Sequence, residues 1–184
     1  YEVKVKAVKK YTPEDTWNVS LTGKKILVVI GEHTSFNTNT IEALENFADH
    51  HNVAIYTNHL SNYSGAYTVK ANLLLLVSKP QETLEYVPDI IVSIGGQTGD
   101  YPVYNYFSNP SLECEHWRVA QDGELIDTYD KLNKVFACSE CFFFEKFSNN
   151  MECEHSYFNT LNKALCQIHV NLELPFSNAW IAQV

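Results

Sequence analysis

The sequence predicts an α/β domain of the Rossmann-like kind, three layers deep, with a mostly parallel sheet of about six strands and helices on both faces. Three observations carry that expectation. The runs Ile26–Ile30 (ILVVI), Val53–Tyr56 and Asp89–Ile94 (DIIVSI) are short and almost unbroken in apolar residues. Strands covered by helices on both faces have this pattern, whereas half-exposed strands alternate. Gly31 stops the first run and Gly95-Gly96 the third. A segment of helical period separates the first two, so strand, helix and strand follow within about 30 residues as a βαβ unit.

The remaining elements follow in order. Asn39 is a predicted N-cap with Glu42 three residues on, and Ile41, Leu44, Phe47 and Ala48 make one apolar stripe. His50, His51 and Asn52 suit the C-terminus of that helix. Between Val69 and Tyr86, Asn72-LLLLV reads as strand or buried helix; the crossover needed between Tyr56 and Ile90 favours helix. Pro102, after Asp100, is expected near the first position of a short helix through Phe107. His116–Val119 is a further strand, Gln121-Asp122-Gly123-Glu124 a turn, and Val135-Phe136 a short strand. Ser139 caps a helix through Phe147, and Glu154, Tyr157, Phe158, Leu161, Ala164, Leu165 and Ile168 keep the spacing of a last helix.

Composition bounds the function. At 184 residues and 45% hydrophobic, one domain can bury roughly 70% of its unfolded surface without disulfide or metal. No apolar run approaches the ~20 residues of a membrane span, and Tyr1–Tyr11 has no apolar signal region. Five scattered cysteines, an odd number, point to a reducing cytoplasm. Of the 13 cations, Lys4, Lys6, Lys9, Lys10, Lys24 and Lys25 precede Ile26, where only Glu2, Glu14 and Asp15 oppose them. The rest is strongly acidic, with Arg118 as its one arginine. Nucleic acid and anionic membrane are therefore not expected as partners.

The best ligand-site candidate is the turn Gly95-Gly96-Gln97-Thr98-Gly99-Asp100, which follows a buried strand and opens a helix. Its amides could cradle a phosphate, with Gly95, Gly96, Thr98 and Gly99 as cofactor-binding residues; the alternative is a tight strand-to-helix turn. The spacing is GGxxG rather than GxGxxG, and Asp100 sets a negative charge where phosphate would lie. The loops carrying His33, and His59 with Ser61, should share the same carboxyl edge of the sheet, where open α/β sheets bind ligands. Cys138-Ser139-Glu140-Cys141 has redox spacing, but Glu140 and Glu145 oppose thiolate formation. A zinc set of Cys138, Cys141, Cys153 and His155 fails if the last two share a helix, two residues apart and facing opposite ways. No nucleophile elbow, HExxH or P-loop occurs, and no self-sufficient active site is expected.

Four stretches, Lys25-ILVVIGEH, Asn58-HLSNYSG, Pro88-DIIVSIGGQTGD and Glu115-HWRVAQDGELIDT, resemble the central domain of thiamine-diphosphate-dependent enzymes. The nearest subgroup is 2-succinyl-5-enolpyruvyl-6-hydroxy-3-cyclohexene-1-carboxylate synthase, of menaquinone biosynthesis. The likeness runs from about Lys25 to Phe147, and Leu174–Ala182 resembles the lead into that family's diphosphate-binding domain. It implies an interdomain connector over 1–22, the central domain over 23–172 and the start of the next domain over 173–184. It further implies an oligomeric parent, a homodimer or homotetramer, in which flanking domains hold thiamine diphosphate and Mg²⁺. This piece would be inert alone, with catalytic and metal residues lying elsewhere. Some relatives bind FAD or ADP in the central domain; others lend it to the substrate pocket, which would put His33, His59, Ser61, Asp100 and Tyr101 near substrate. The family's Gly-Asp-Gly…Asn metal pattern is only imitated by Asp122-Gly123 and Asn149-Asn150, because Gln121 takes the place of the first glycine. Where the menaquinone synthases have Lys-Arg after the glycine, Asp100-Tyr101 follow Gly99, so the acidic substrate of those enzymes loses its attraction here.

Overall fold

The computed structural model describes residues 7–148 and 152–168. The tail 174–182 and the Asn149-Asn150 pair lie outside the described residues. Among the described residues there are seven strands: β1 (Lys9–Tyr11), β2 (Ile26–Ile30), β3 (Val53–Tyr56), β4 (Thr68–Val69), β5 (Ile90–Ile94), β6 (Glu115–Val119) and β7 (Leu132–Phe136). They form one sheet in the order β1-β7-β6-β5-β2-β3-β4, and every neighbouring pair is parallel. The described helices are α1 (Thr38–His50), α2 (Asn72–Val77), α3 (Tyr101–Phe107), α4 (Glu140–Lys146) and α5 (Ser156–Cys166). This is the Rossmann-like three-layer architecture, with one strand more than expected.

Side chains alternate across the sheet and so build two cores. Ile26, Val28 and Ile30 pack with Leu44 and Phe47 of α1 and with Phe143 and Phe144 of α4. Leu27 and Val29 face the other way, toward Leu74 of α2, Val103 and Phe107 of α3, and Tyr157 and Leu161 of α5. All five residues of β2 are buried, which explains why its sequence shows no polar alternation.

Several element limits differ from the sequence expectations. The cap of α1 is Asn37, not Asn39: its Oδ1 accepts the Thr40 amide at 2.8 Å. The crossover after β4 contains a helix, as preferred, but only over Asn72–Val77, followed by a single 3-10 turn at Leu84–Tyr86. Ser78 Oγ donates to the Leu74 carbonyl at 2.6 Å, and Pro80 disfavours helical geometry at Lys79. Cys153 and His155 precede α5 rather than riding on it, so the opposite-faces argument against a zinc set does not apply. His155 is instead held against Tyr67, whose hydroxyl lies 3.2 Å from its Nε2. Within the stretch 1–22, Lys9–Tyr11 forms the edge strand β1, and Trp17 packs on Phe136 with ring centroids 4.8 Å apart.

From β2 the chain runs outward through β3 and β4, then returns to β5 on the other side and runs outward through β6 and β7. The direction of winding therefore reverses between β2 and β5, where the loops beyond the carboxyl ends part to opposite faces. Here they are also tied together. The Gly31 amide donates to the Ile94 carbonyl at 2.9 Å, the Gly96 amide to the Glu32 carbonyl at 3.0 Å, and the Glu32 amide to the Gln97 carbonyl at 3.2 Å. A Cβ on Gly31 would lie 1.8 Å from the Gly96 carbonyl oxygen. Gly99, by contrast, has open space around it and only a positive φ, 62°. Gly31→Ala should therefore lower unfolding stability by about 3 kcal/mol, through backbone displacement. Gly99→Ala should lower it by about 1 kcal/mol, through left-handed strain alone. Urea unfolding of the two variants beside the unaltered chain measures both.

Candidate functional site

Two clefts open at this edge, one on each face of the sheet. The first, about 910 Å³, lies between the starts of α1 and α4 and is lined by Asn37–Thr40, Gly95, Gly96, Arg118–Asp122 and Cys138–Cys141. The second, about 560 Å³, lies on the α3 side, bounded by Val29, Ser93, the loop Gly95–Asp100, Tyr101, Tyr104 and the segment Ile126–Asp130. The Gly95–Asp100 turn forms part of the second wall, and its first two glycines reach both clefts.

The His33 ring packs against Gly95, a residue that both clefts share. Its Nδ1 faces the Gly31 carbonyl at 3.1 Å, and its Nε2 faces the Glu140 carboxylate at 2.9 and 3.1 Å. The ring stacks on Phe36, with centroids 4.1 Å apart. Both nitrogens therefore meet acceptors, which only the doubly protonated ring can satisfy together. Burial opposes that charge, but the bonds to Glu140 and Gly31 outweigh it and raise the His33 pKa. Glu140 also accepts the Gly95 amide at 3.1 Å. One carboxylate from the start of α4 thus clamps both loops of the switch point.

That arrangement bears on the phosphate reading of the glycine turn. The Gly95 and Gly96 amides are spent on Glu140 and on the Glu32 carbonyl. Carboxylates of Glu140 and Asp100 flank the turn, and Asp100 is bonded to the Tyr56 hydroxyl. At these two glycines the donors a nucleotide or FAD diphosphate would need are engaged and the flanking charge has the wrong sign, which counts against that reading there; the Gln97, Thr98 and Gly99 amides donate to no acceptor among the described residues.

The other candidates divide. Ser61 is fully buried, donating to the Ile30 carbonyl at 2.6 Å and accepting the Asn58 amide at 2.9 Å, so it pins the loop after β3. Asn58 then reaches across to donate to the Thr98 carbonyl at 2.8 Å. His59 lies exposed on that loop. Asp100 and Tyr101 border the α3-side cleft, Tyr101 with 76% of its surface exposed. The structure thus brings His33, Asp100 and Tyr101 to the switch point and leaves Ser61 as a structural tie.

The remaining motifs have these local surroundings. Burial pushes the Cys138 thiol up to about 11, and burial with Glu145 raises Cys141; both are therefore held as thiols at neutral pH, opposite to the demand of redox catalysis. The described residues hold no group of three or more His, Cys, Asp or Glu side chains arranged for a metal. Asp122 is gripped by Arg118 through two bonds of 2.6 and 3.0 Å, which hold its carboxyl at about 2. No helix among the described residues is long and apolar enough to cross a membrane.

One cluster escaped the sequence reading, which expected no assembled site. Ser93 Oγ lies 2.8 Å from His116 Nε2, and His116 Nδ1 lies 3.7 Å from Asp127 Oδ1. The three come from β5, β6 and the segment before β7, and parallel register brings them together. A bulge at this point, where His116 opposes Leu132 but Trp117 opposes Lys134, re-aims the strand. The one signal in the sequence was a lone serine inside DIIVSI, opposite a strand that opens with histidine.

A scan against protein-family models and a search of curated protein sequences both find no match to this chain. Fold and site define it as a doubly wound, all-parallel α/β domain with paired clefts at its topological switch point.

The Glu140 clamp yields a pH test. Because the His33 pKa is raised on folding, its contribution is complete below the ordinary value of ~6.5 and fades as pH climbs through the raised value. Glu140→Gln should cost about 1–2 kcal/mol at pH 6 and less at pH 9. Thermal melts of both proteins across that range check it.

Proposed function

We propose that this chain is the central domain of a thiamine-diphosphate-dependent enzyme that decarboxylates a 2-oxo acid and joins the remainder to an acceptor, as the menaquinone-pathway synthases do. One observation carries the reading. The four stretches that bear the resemblance are far apart in sequence, yet three of them contain the adjacent strands β2, β5 and β6 with the loops that follow, and the fourth is the loop after β3, next to β2, on the same edge. Cross-loop bonds knit those loops together: Asn58 to Thr98, Ser61 to Ile30, and Gly96 to Glu32.

In this reading the domain is a platform. Tyr101, Tyr104 and Ile126 stand exposed at the mouth of the α3-side cleft, where a flanking domain or partner subunit of a homodimer or homotetramer would close over them. Thiamine diphosphate and Mg²⁺ belong to the flanking domains and supply the decarboxylation chemistry there; none of the site residues described above is assigned to them. What this chain contributes is shape and charge. Asp100 at the cleft wall disfavours a dicarboxylate by about 1–4 kcal/mol at close range, so the acceptor is expected to be less acidic than that of the menaquinone enzyme. The cytoplasm suits the reading, because all five cysteines are free thiols.

The test compares the purified chain with the intact gene product, each given thiamine diphosphate, Mg²⁺ and 2-oxo acids. Carbon dioxide release is expected from the intact product alone. Release by the chain unaided, or an intact product that binds no thiamine diphosphate, would refute the assignment.

A further inference from the structure

The hydroxyl of Ser93 is partly exposed and lines the α3-side cleft, while His116 beneath it is fully buried. The tautomer of that histidine follows from its surroundings. Nδ1 is buried, makes no hydrogen bond and faces the Asp127 carboxylate at 3.7 Å. Asp127 is held in place by the Lys131 and Leu132 amides, both at 2.9 Å. Partial burial opposes its ionisation, but these bonds and His116 outweigh that and hold the carboxyl at about 2. A lone pair on Nδ1 aimed at an ionised carboxylate would be repelled, so the proton resides on Nδ1. Nε2 is then an acceptor, and the group it accepts from is Ser93 Oγ at 2.8 Å.

A hydroxyl on a basic imidazole nitrogen, with a fixed carboxylate behind the ring, is the arrangement that turns serine into a nucleophile. We propose that Ser93 is the nucleophile of an acyl-transfer site, with His116 as its general base and Asp127 orienting the imidazole. The site goes beyond the platform role and does not depend on it; it acts while the mouth at Tyr101, Tyr104 and Ile126 is open, as the chain itself presents it. Ser93 Oγ forms a bond to the carbonyl carbon of an ester while its proton passes to His116 Nε2. The carbon–oxygen bond to the alcohol then breaks, and the alcohol leaves with that proton. Water attacks the acyl-serine, its proton passes through Nε2 back to Ser93 Oγ, and the carboxylic acid departs. Ester and water become acid and alcohol, with no other reactant.

The cleft supplies the remaining parts. Gln97, Thr98 and Gly99 line the same wall, and their amides donate to no acceptor among the described residues, so this loop offers unengaged donors on the side of the cleft where the carbonyl oxygen would gain charge. Tyr101, Tyr104 and Ile126 offer an apolar and aromatic mouth, while Asp100, Asp127 and Asp130 outnumber the one cation of the lining, Arg118, which is itself bonded to Asp122. The substrate class is therefore an uncharged or cationic ester with an aryl or alkyl group, not an ester bearing a carboxylate.

The test treats the full chain with an uncharged alkyl fluorophosphonate, which bonds through phosphorus to a serine oxygen as fluoride leaves. Intact-mass and peptide spectrometry should find one adduct, on Ser93. Ser93→Ala, which removes a single oxygen atom, should abolish it with the circular dichroism spectrum unchanged. Asp127→Asn should slow labelling by about 100-fold or more. If that variant fails to fold, labelling of the unaltered chain and its loss in Ser93→Ala decide the matter. Absence of an adduct on Ser93, labelling scattered over several hydroxyls, or an unchanged rate in folded Asp127→Asn would each overturn the proposal. Ser93 and His116 would then be a strand-to-strand hydrogen bond only.

Discussion

The backbone contact between Gly31 and Gly96 governs the working edge of this molecule. At a topological switch point neighbouring parallel strands normally part at their carboxyl ends, because the helices that follow them lie on opposite faces. Here β2 and β5 stay bonded beyond the sheet, through the Gly31 amide to Ile94 and the Gly96 amide to Glu32. Only a residue without a side chain at position 31 permits that approach. The consequence is a rigid partition with one cleft on each side of it, rather than one open crevice.

Everything polar at the edge is arranged around that partition. Glu140 reaches it from α4 and holds both His33 and the Gly95 amide. Asn58 and Ser61 brace it from the loop after β3. A carboxylate thus sits where a phosphate-binding sheet would keep its amides free, and the same glycine turn that suggests a nucleotide in sequence serves as an internal tie in three dimensions. On the α3 side, Ser93, His116 and Asp127 lie under a mouth of tyrosines, so the two clefts differ in chemistry though they share a wall.

The sequence revealed those parts of the fold that depend on local pattern. Ile26–Ile30, Val53–Tyr56 and Ile90–Ile94 are buried on both faces, and burial on both faces leaves an uninterrupted apolar signature. β1 and β4 were not readable, because Lys9-Lys10-Tyr11 and Thr68-Val69 are short edge strands whose identity comes from pairing with β7 and β3. Asn37 and Asn39 are both plausible caps in one dimension; only the reach of Asn37 to the Thr40 amide separates them. The candidate site was half readable. Strand ends and glycines pointed to the edge where the two clefts lie, but the partner of His33 lies 107 residues away, and Ser93 meets His116 across 23 residues through strand register. No spacing rule along the chain encodes either pair.

The central claim is that the two loops at the switch point form one preorganised element with the sheet. Native-state amide hydrogen exchange tests it directly, since exchange reports the free energy of opening at each amide. The Gly31 and Gly96 amides should exchange as slowly as those of Val28 and Val92 within the strands. Exchange of Gly31 and Gly96 at the rates of an ordinary exposed loop, with the strands still protected, would contradict the claim.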